Sequence, residues 1–260
     1  MKIGLGVITC NRENYFKQCL ASIPLDKIDY LVTVNDGKEY SKIYSANGKA
    51  DIIQHSENKS VCISKNEAMK AMLDNGCDHI FLLEDDIKIK NKEVFNRYIE
   101  CSKESGLQHM MFGYHGPANM RNGKPTPRLI IEYKNNVKIA LNTHCVGALC
   151  YYSRKVLEDV GLMDENFNKN CWEHVDHSLQ IVKKGYIPAY WWWPDIADSY
   201  DYLEEVAGVN EGVIIKNPDH RKNIAEKAEY FRKKNGLNPV QIKDIDSSEV
   251  IEILRKIKSL

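Results

Sequence analysis

The densest chemistry in the chain is acidic: Glu84, Asp85 and Asp86 are consecutive. Three adjacent carboxylates repel one another and raise their own pKa values unless a cation sits among them. Mg²⁺ and Mn²⁺ are commonly held this way, by one or two carboxylates together with substrate phosphates rather than by an all-protein cage. Taken alone, the triplet reads equally well as a solvated loop. A second concentration, Trp172-Glu173-His174-Val175-Asp176-His177, sets two acids and two histidines within six residues. It offers a general base for an attacking hydroxyl, either an imidazole at His174 or a partly buried carboxylate at Glu173. Asp176 and Gln180 would share one helix face. Zinc is poorly served, since no cysteine pair stands at ligand spacing.

Weaker signals surround these two. Asp36, in Asn35-Asp36-Gly37, is placed like the acids that take a ribose or base edge in nucleotide-binding α/β folds, and it also suits an ordinary turn. Lys65 falls in the predicted first turn of a helix, where a cation opposes the helix dipole but would meet a diphosphate. Trp191-Trp192-Trp193 is either a stacking surface for a sugar or a strand half in the core.

The elements that must position these groups follow from spacing. Ile3 to Thr9 is an apolar, β-branched run leading into Cys10-Asn11-Arg12. There Asn11 can cap a helix with Tyr15, Phe16, Cys19, Leu20 and Ile23 on one face, ended by Pro24. Tyr30 to Val34 is a second strand, running into the Asp36 turn, and Ile52-Ile53 marks a third. Ser64 and Glu67 make a capping-box pattern for a helix with Ala68, Met69, Met72 and Leu73 inward, closed by Asn75-Gly76. His79 to Leu83 then ends directly in the acidic triplet. This alternation predicts right-handed crossovers and a parallel, doubly wound sheet. Ligands of such sheets gather at the C-terminal strand ends, where Arg12, Asp36 and the triplet all fall, and that placement favours the metal reading.

The second half differs. Arg128 to Tyr133 and Val137 to Leu141 flank a probable turn at Lys134-Asn135-Asn136, predicting a hairpin. Helices are predicted over Ser153 to Val160 and Asp176 to Lys184, an aromatic strand over Tyr186 to Trp193, and charged helices over Ala225 to Lys234 and Ser248 to Ser259.

Composition sets the bounds. A chain of 260 residues suits one main domain. Lys plus Arg (36) equals Asp plus Glu (36), so no whole-molecule field draws in nucleic acid or an anionic membrane. With 43% hydrophobic and 28% charged residues, extensive disorder is excluded. The eight cysteines contain no CxxC pair and sit in apolar stretches, as thiols of a reducing compartment do. The N-terminus lacks a signal-peptide pattern and no apolar run reaches the roughly 20 residues of a membrane span, so a cytoplasmic location is expected.

In their order along residues 3 to about 190, these pieces resemble family 2 and related GT-A glycosyltransferases. The matching motifs are Thr9-Cys10-Asn11-Arg12, Asn35-Asp36-Gly37, Ser64-Lys65-Asn66 and Glu84-Asp85-Asp86 in place of the DxD motif. Gly147 to Leu157 with Gly161 to Phe167 follow, and then Trp172 to Asp176. The resemblance implies a GT-A, Rossmann-like, mixed and mostly parallel sheet with helices on both faces. Residues 1–216 would form that domain, as a nucleotide-sugar half (1–100) and an acceptor-binding and catalytic half (101–216), with a helical extension over 217–260.

It further implies a nucleoside pocket lined by Thr9, Asn11 and Arg12, with Asp36 on the base, usually uracil, and Lys65 facing the diphosphate. Asp86 would bind Mn²⁺ or Mg²⁺, with Glu84 and Asp85 near the ribose and the metal's waters. Where the family has a Glu-Asp pair this chain has Glu173-His174, so the base falls to His174, Glu173 or Asp176. The family's late metal-binding histidine has no clean match; Asp198 is near its place and His220 lies beyond. The implied activity is metal-dependent, inverting transfer of a sugar from a nucleoside-diphosphate donor, a UDP-sugar, to a hydroxyl of a glycan, lipid, protein or modified nucleic acid. The 128–141 hairpin, His144, the tryptophan run and the C-terminal helices are candidates for the acceptor side. Two rivals stand: a sugar nucleotidyltransferase, which would want a Gly-rich basic loop where Cys10-Asn11-Arg12 has no glycine, and a non-catalytic carbohydrate-binding protein, favoured by His174.

Overall fold

The N-terminal apolar run forms β1 (Ile3–Thr9), buried at every position, as a strand covered on both faces must be. The computed structural model describes residues 1–40, 50–169, 171–207 and 216–258. In it, β1 is flanked by β2 (Tyr30–Asn35) and then β3 (Ala50–Gln54) on one side. On the other side lie β4 (His79–Glu84), β11 (Leu149–Ser153) and β6 (His109–Met111), giving the order β3-β2-β1-β4-β11-β6. The first four strands are parallel. β11 runs antiparallel to both neighbours, so the sheet is mixed but mostly parallel.

Helix α1 (Glu13–Ser22) carries the chain from β1 to β2, and α2 (Val61–Asp74) carries it back from β3 to β4. These crossovers step in opposite directions, so their shared right-handedness puts the two helices on opposite faces. α2 lies directly on β1: a Cβ on Gly6 would come within 2.8 Å of the Ala68 Cβ. The helix also starts earlier than the Ser64–Glu67 pattern predicts. Ser60 is its N-cap, its Oγ accepting from the Ile63 N–H, and Lys65 therefore sits beyond the first turn, buried.

The predicted hairpin is present as β9 (Leu129–Glu132) and β10 (Lys138–Asn142), extended by β12 (Trp193–Ile196) into a three-stranded sheet. Directly after the acidic triplet, β5 (Ile87–Ile89) pairs with β13 (Leu203–Glu205), and β7 (Met120–Arg121) with β8 (Lys124–Pro125) makes a second small ribbon. Helices α3 (Val94–Ser105), α4 (Arg154–Val160), α5 (Glu173–Lys183) and α6 (Ser199–Tyr202) complete this half. α5 begins earlier than the predicted Asp176, which brings Glu173 and His174 into its first turn.

The aromatic strand predicted over Tyr186 to Trp193 is shorter than its composition suggests. Trp191 turns through φ 67, and only Trp193 enters β12. The indoles are spoken for: Trp191 Nε1 donates to Ile242 O at 2.9 Å, Trp192 Nε1 donates to Asp244 at 2.9 Å, and the Arg128 guanidinium lies 3.6 Å from the Trp192 ring. The run thus seats the linker between α7 (His220–Asn235) and α8 (Ser247–Lys258), whose Ile242 carbonyl and Asp244 carboxylate take the Trp191 and Trp192 N–H groups. Phe231 of α7 and Val250, Leu254 and Ile257 of α8 belong to the same continuous core as the sheet. Among the described residues no helix is long and apolar enough to cross a membrane.

Candidate active site

The parallel register levels the strand ends: Thr9 stands opposite Asn35, and Ile8 opposite Glu84. The residues immediately beyond therefore meet. Thr9 Oγ1 donates to Asp85 Oδ2 at 2.6 Å, and the guanidinium of Arg12, the N-cap residue of α1, spans Asp85 and Asp86, with Nη1 3.0 Å from Asp86 Oδ2. Burial is the largest influence on both acids and acts to raise them. At Asp85 it prevails over Arg12 and Thr9, and the pKa is pushed up to about 7. At Asp86, His115 and Arg12 overcome it and hold the carboxyl at about 2. One guanidinium cannot satisfy two buried carboxylates, and a further cation would let both ionise.

His115 and Glu205 complete this corner and carry no motif in the sequence. His115 Nε2 lies 3.6 Å from Asp86 Oδ2 and 3.4 Å from Glu205 Oε1. The Asp86 carboxylate raises the imidazole against the lowering effect of burial. The loop carrying His115 is fixed by Asp195, fully buried, which accepts from Gly113 N at 2.9 Å, Tyr98 Oη at 2.7 Å and Ser199 Oγ at 2.6 Å. The one sequence signal at His115 is its place between a short apolar run and Gly116-Pro117.

A second cluster adjoins through Glu84. Lys65 Nζ, buried, donates to Glu84 Oε1 at 2.7 Å and Gly147 O at 2.9 Å. Burial lowers the Lys65 pKa, but Glu84 and Glu173 more than reverse it and the ammonium stays charged. A Cβ on Gly147 would lie 3.0 Å from Lys65 Nζ and 3.1 Å from the His174 ring, so only glycine lets the chain pass between them without displacement. His174 Nδ1 is 2.9 Å from Glu173 Oε1. Burial would raise Glu173; the His174 and Lys65 charges bring it down to about 2. Trp172, at φ 68, makes the sharp entry to α5 that puts this carboxylate at the positive end of the helix.

Three buried side-chain atoms of these clusters, Asp86 Oδ1, Arg12 Nε and Glu173 Oε2, have no hydrogen-bond partner among the described residues. Buried polar atoms are nearly always paired, so such a concentration points to a ligand. Among the described residues no three acidic, histidine or cysteine side chains already close round one point. Asp86, with His115 Nε2 3.6 Å from its carboxylate, would supply the protein side of a divalent-cation site whose remaining ligands are substrate oxygens.

The other expected site residues are distributed differently. Asp36 accepts from His55 Nδ1 and Lys59 N, both at 2.7 Å, and from Ser60 N at 2.9 Å, fastening the loop ahead of α2. Asn11, at φ 54, accepts from Lys38 N at 2.9 Å and joins the loops after β1 and β2. Asp176 is drawn away from the cluster: Lys234 at 2.7 Å, Asn235 at 2.9 Å and Gln180 at 3.3 Å occupy its oxygens, pinning α7 to α5. Asp198 accepts from Arg97 Nε at 3.0 Å, and His220 opens α7; no bond joins either to Asp86 among the described residues.

No protein-family model and no curated protein sequence matches the chain. Solved structures do. The crystal structure of S. aureus TarS superposes with a TM-score of 0.59 at 14% identity, over 99% of this chain and 43% of that one. TarS 1-349 in complex with UDP-GlcNAc gives 0.57 at 14%, over 99% and 71%. GalNAc-T7 with UDP, GalNAc and Mn²⁺ gives 0.58 at 10%, over 99% and 54%. This chain thus spans under half of full TarS and about half of GalNAc-T7. What such similarity establishes is architecture: the chain has the GT-A fold of glycosyltransferases.

Proposed function

We propose that the chain is a metal-dependent, inverting glycosyltransferase that moves a sugar from a UDP-sugar to an acceptor hydroxyl. The observation that carries this reading is the joining, through Glu84, of the Asp85–Asp86 corner to a carboxylate–imidazole dyad beyond the C-terminal ends of the central strands. UDP, UDP-GlcNAc and Mn²⁺ in the similar structures support the donor and the ion.

On this reading Arg12, Thr9, Asn11, Asp85 and Asp36 hold the nucleotide. A carboxylate accepts at about four sites; Asp36 has three bonds, which leaves room for the imide N–H of uracil. Lys65 fixes Glu84 beside the sugar. Mn²⁺ or Mg²⁺ held by Asp86, with His115 beside it, would offset the charge of the departing diphosphate. Glu173 accepts the Nδ1–H of His174, which turns the Nε2 lone pair toward the acceptor, and the same carboxylate stabilises the imidazolium formed when the hydroxyl proton arrives. Asp176, committed to α7, stays outside this proton transfer.

His174 in place of the usual carboxylate favours a second reading, a protein that binds nucleotide-sugars without turning them over. UDP release from a panel of UDP-sugars with Mn²⁺ separates the two. The transferase reading expects Mn²⁺-dependent release that falls roughly 10²- to 10⁴-fold in His174→Ala, with donor affinity unchanged. UDP binding without release supports the second reading, and absence of UDP binding overturns both.

A further inference from the structure

Beside the acidic corner lies a cavity of about 460 Å³ walled by Lys90, Tyr114, Asn122, Tyr200, Glu204 and Glu205. Its volume is in the range of small-molecule sites, roughly 300–1,000 Å³. Glu205 ties it to the proposed reaction centre: Oε2 accepts from Gly116 N at 2.9 Å, and Oε1 is 3.4 Å from His115, itself 3.6 Å from Asp86. Tyr114 and Tyr200 form an aromatic corner, their centroids 6.5 Å apart at 78°. Tyr200 is 45% exposed, yet it is held in place by Lys90, whose ammonium lies 4.9 Å from the ring and donates to the Tyr200 carbonyl. The Asn122-Gly123 turn between β7 and β8, at φ 52 and 71, gives the rim a hairpin geometry with few alternatives.

The fixed, exposed Tyr200 ring, backed by the buried Tyr114, suits the C–H face of a pyranose, and the flanking Glu204 carboxylate and Asn122 amide suit its hydroxyls. Two carboxylates against one ammonium disfavour an anionic ring. We propose that this cavity takes a neutral hexopyranose unit of a glycan, the part of an acceptor that lies beyond its reacting hydroxyl. The word acceptor rests on the transferase reading above; the sugar binding stands independently of it.

The test is saturation-transfer NMR on the full chain with methyl glucopyranoside, galactopyranoside, mannopyranoside and N-acetylglucosaminide as probes, each with and without UDP and Mn²⁺. UDP affinity is measured on the same samples. At least one neutral probe is expected to bind, to persist at saturating UDP, and to exceed methyl glucuronide. Tyr200→Ala should weaken it about five- to tenfold, and Glu204→Gln should also weaken it. Both positions are partly or fully exposed, and an unchanged melting temperature and UDP affinity confirm that each variant is folded. Binding by no probe, displacement by UDP, or equal binding in both variants overturns the proposal. UDP binding without sugar binding sinks this cavity alone; sugar binding without UDP binding sinks the transferase reading and leaves the cavity.

Discussion

Glu173→Gln removes one charge and keeps the shape. The carboxylate is 3% exposed and accepts from His174 Nδ1 at 2.9 Å. The amide can still accept there, but a hydrogen bond to a charged group, about 1.5–3 kcal/mol, becomes a neutral one of about 0.5–1.5. The imidazolium formed during transfer also loses its counter-ion, at most about 4 kcal/mol for charges about 4 Å apart at an effective dielectric of about 20. These bounds bracket a barrier increase of about 1–4 kcal/mol, with a centre near 2.7, or roughly 100-fold in kcat. The amide nitrogen takes the place of Oε2, which has no partner among the described residues, so the fold should be only slightly weakened. Steady-state UDP release should therefore show kcat down about 100-fold and donor KM changed less than about threefold. A kcat within about threefold of wild type would refute the dyad, and equal loss of kcat and donor affinity would make Glu173 a donor-binding residue.

Gly147→Ala should lower turnover more than tenfold and the melting temperature modestly, because the new methyl must displace Lys65 or His174 at an overpacking cost of about 1–3 kcal/mol; calorimetry beside UDP release checks both, and no change in either would mean that this contact is slack. Asp176→Ala should destabilise the fold by about 2–4 kcal/mol, less than for a fully buried pair because Lys234 is partly exposed, while activity per folded molecule stays near wild type; urea unfolding measures the first, and selective loss of turnover would return Asp176 to the chemistry. Burial raises Asp164, but Lys234, Asn166 and Tyr230 together outweigh it and hold the carboxyl at about 2. Its folded pKa is thus below the unfolded value of about 3.9, so its stabilisation is complete above about pH 4 and lost as pH falls toward 2. Urea melts across that window should show a steeper acid loss in wild type than in Lys234→Met, and parallel curves would contradict the assignment.

How much of this was legible in the residues depended on whether a local pattern carried it. The alternation of β-branched runs with helical spacing specified the order from β1 to β4, and the acids directly after Leu83 had to fall at a strand end. The Ser64–Glu67 capping box misplaced the start of α2, because Ser60 at φ 116 caps it from a backbone region that the sequence does not advertise. Lys65 consequently became a buried partner of Glu84. The tryptophan run was ambiguous because indoles serve cores and ligands alike, and what covers it, residues 239 to 245, is distant in sequence. Asp176 shares a six-residue cluster with Glu173 and His174, yet helical geometry turns it toward α7. His115 and Glu205 were invisible for a related reason: each meets Asp86 or its neighbour only through tertiary pairing of β5 with β13 and the Asp195-fixed loop after β6.

The central claim is that Asp86 helps hold a divalent cation against the diphosphate of a nucleotide-sugar. Calorimetric titration of UDP into the full chain, with and without Mn²⁺, in wild type and Asp86→Asn, tests it most directly. Mn²⁺ should tighten UDP binding at least tenfold in wild type, Asp86→Asn should abolish this enhancement, and the variant should still fold. Equal UDP affinity with and without Mn²⁺, or an enhancement undiminished in Asp86→Asn, would contradict it.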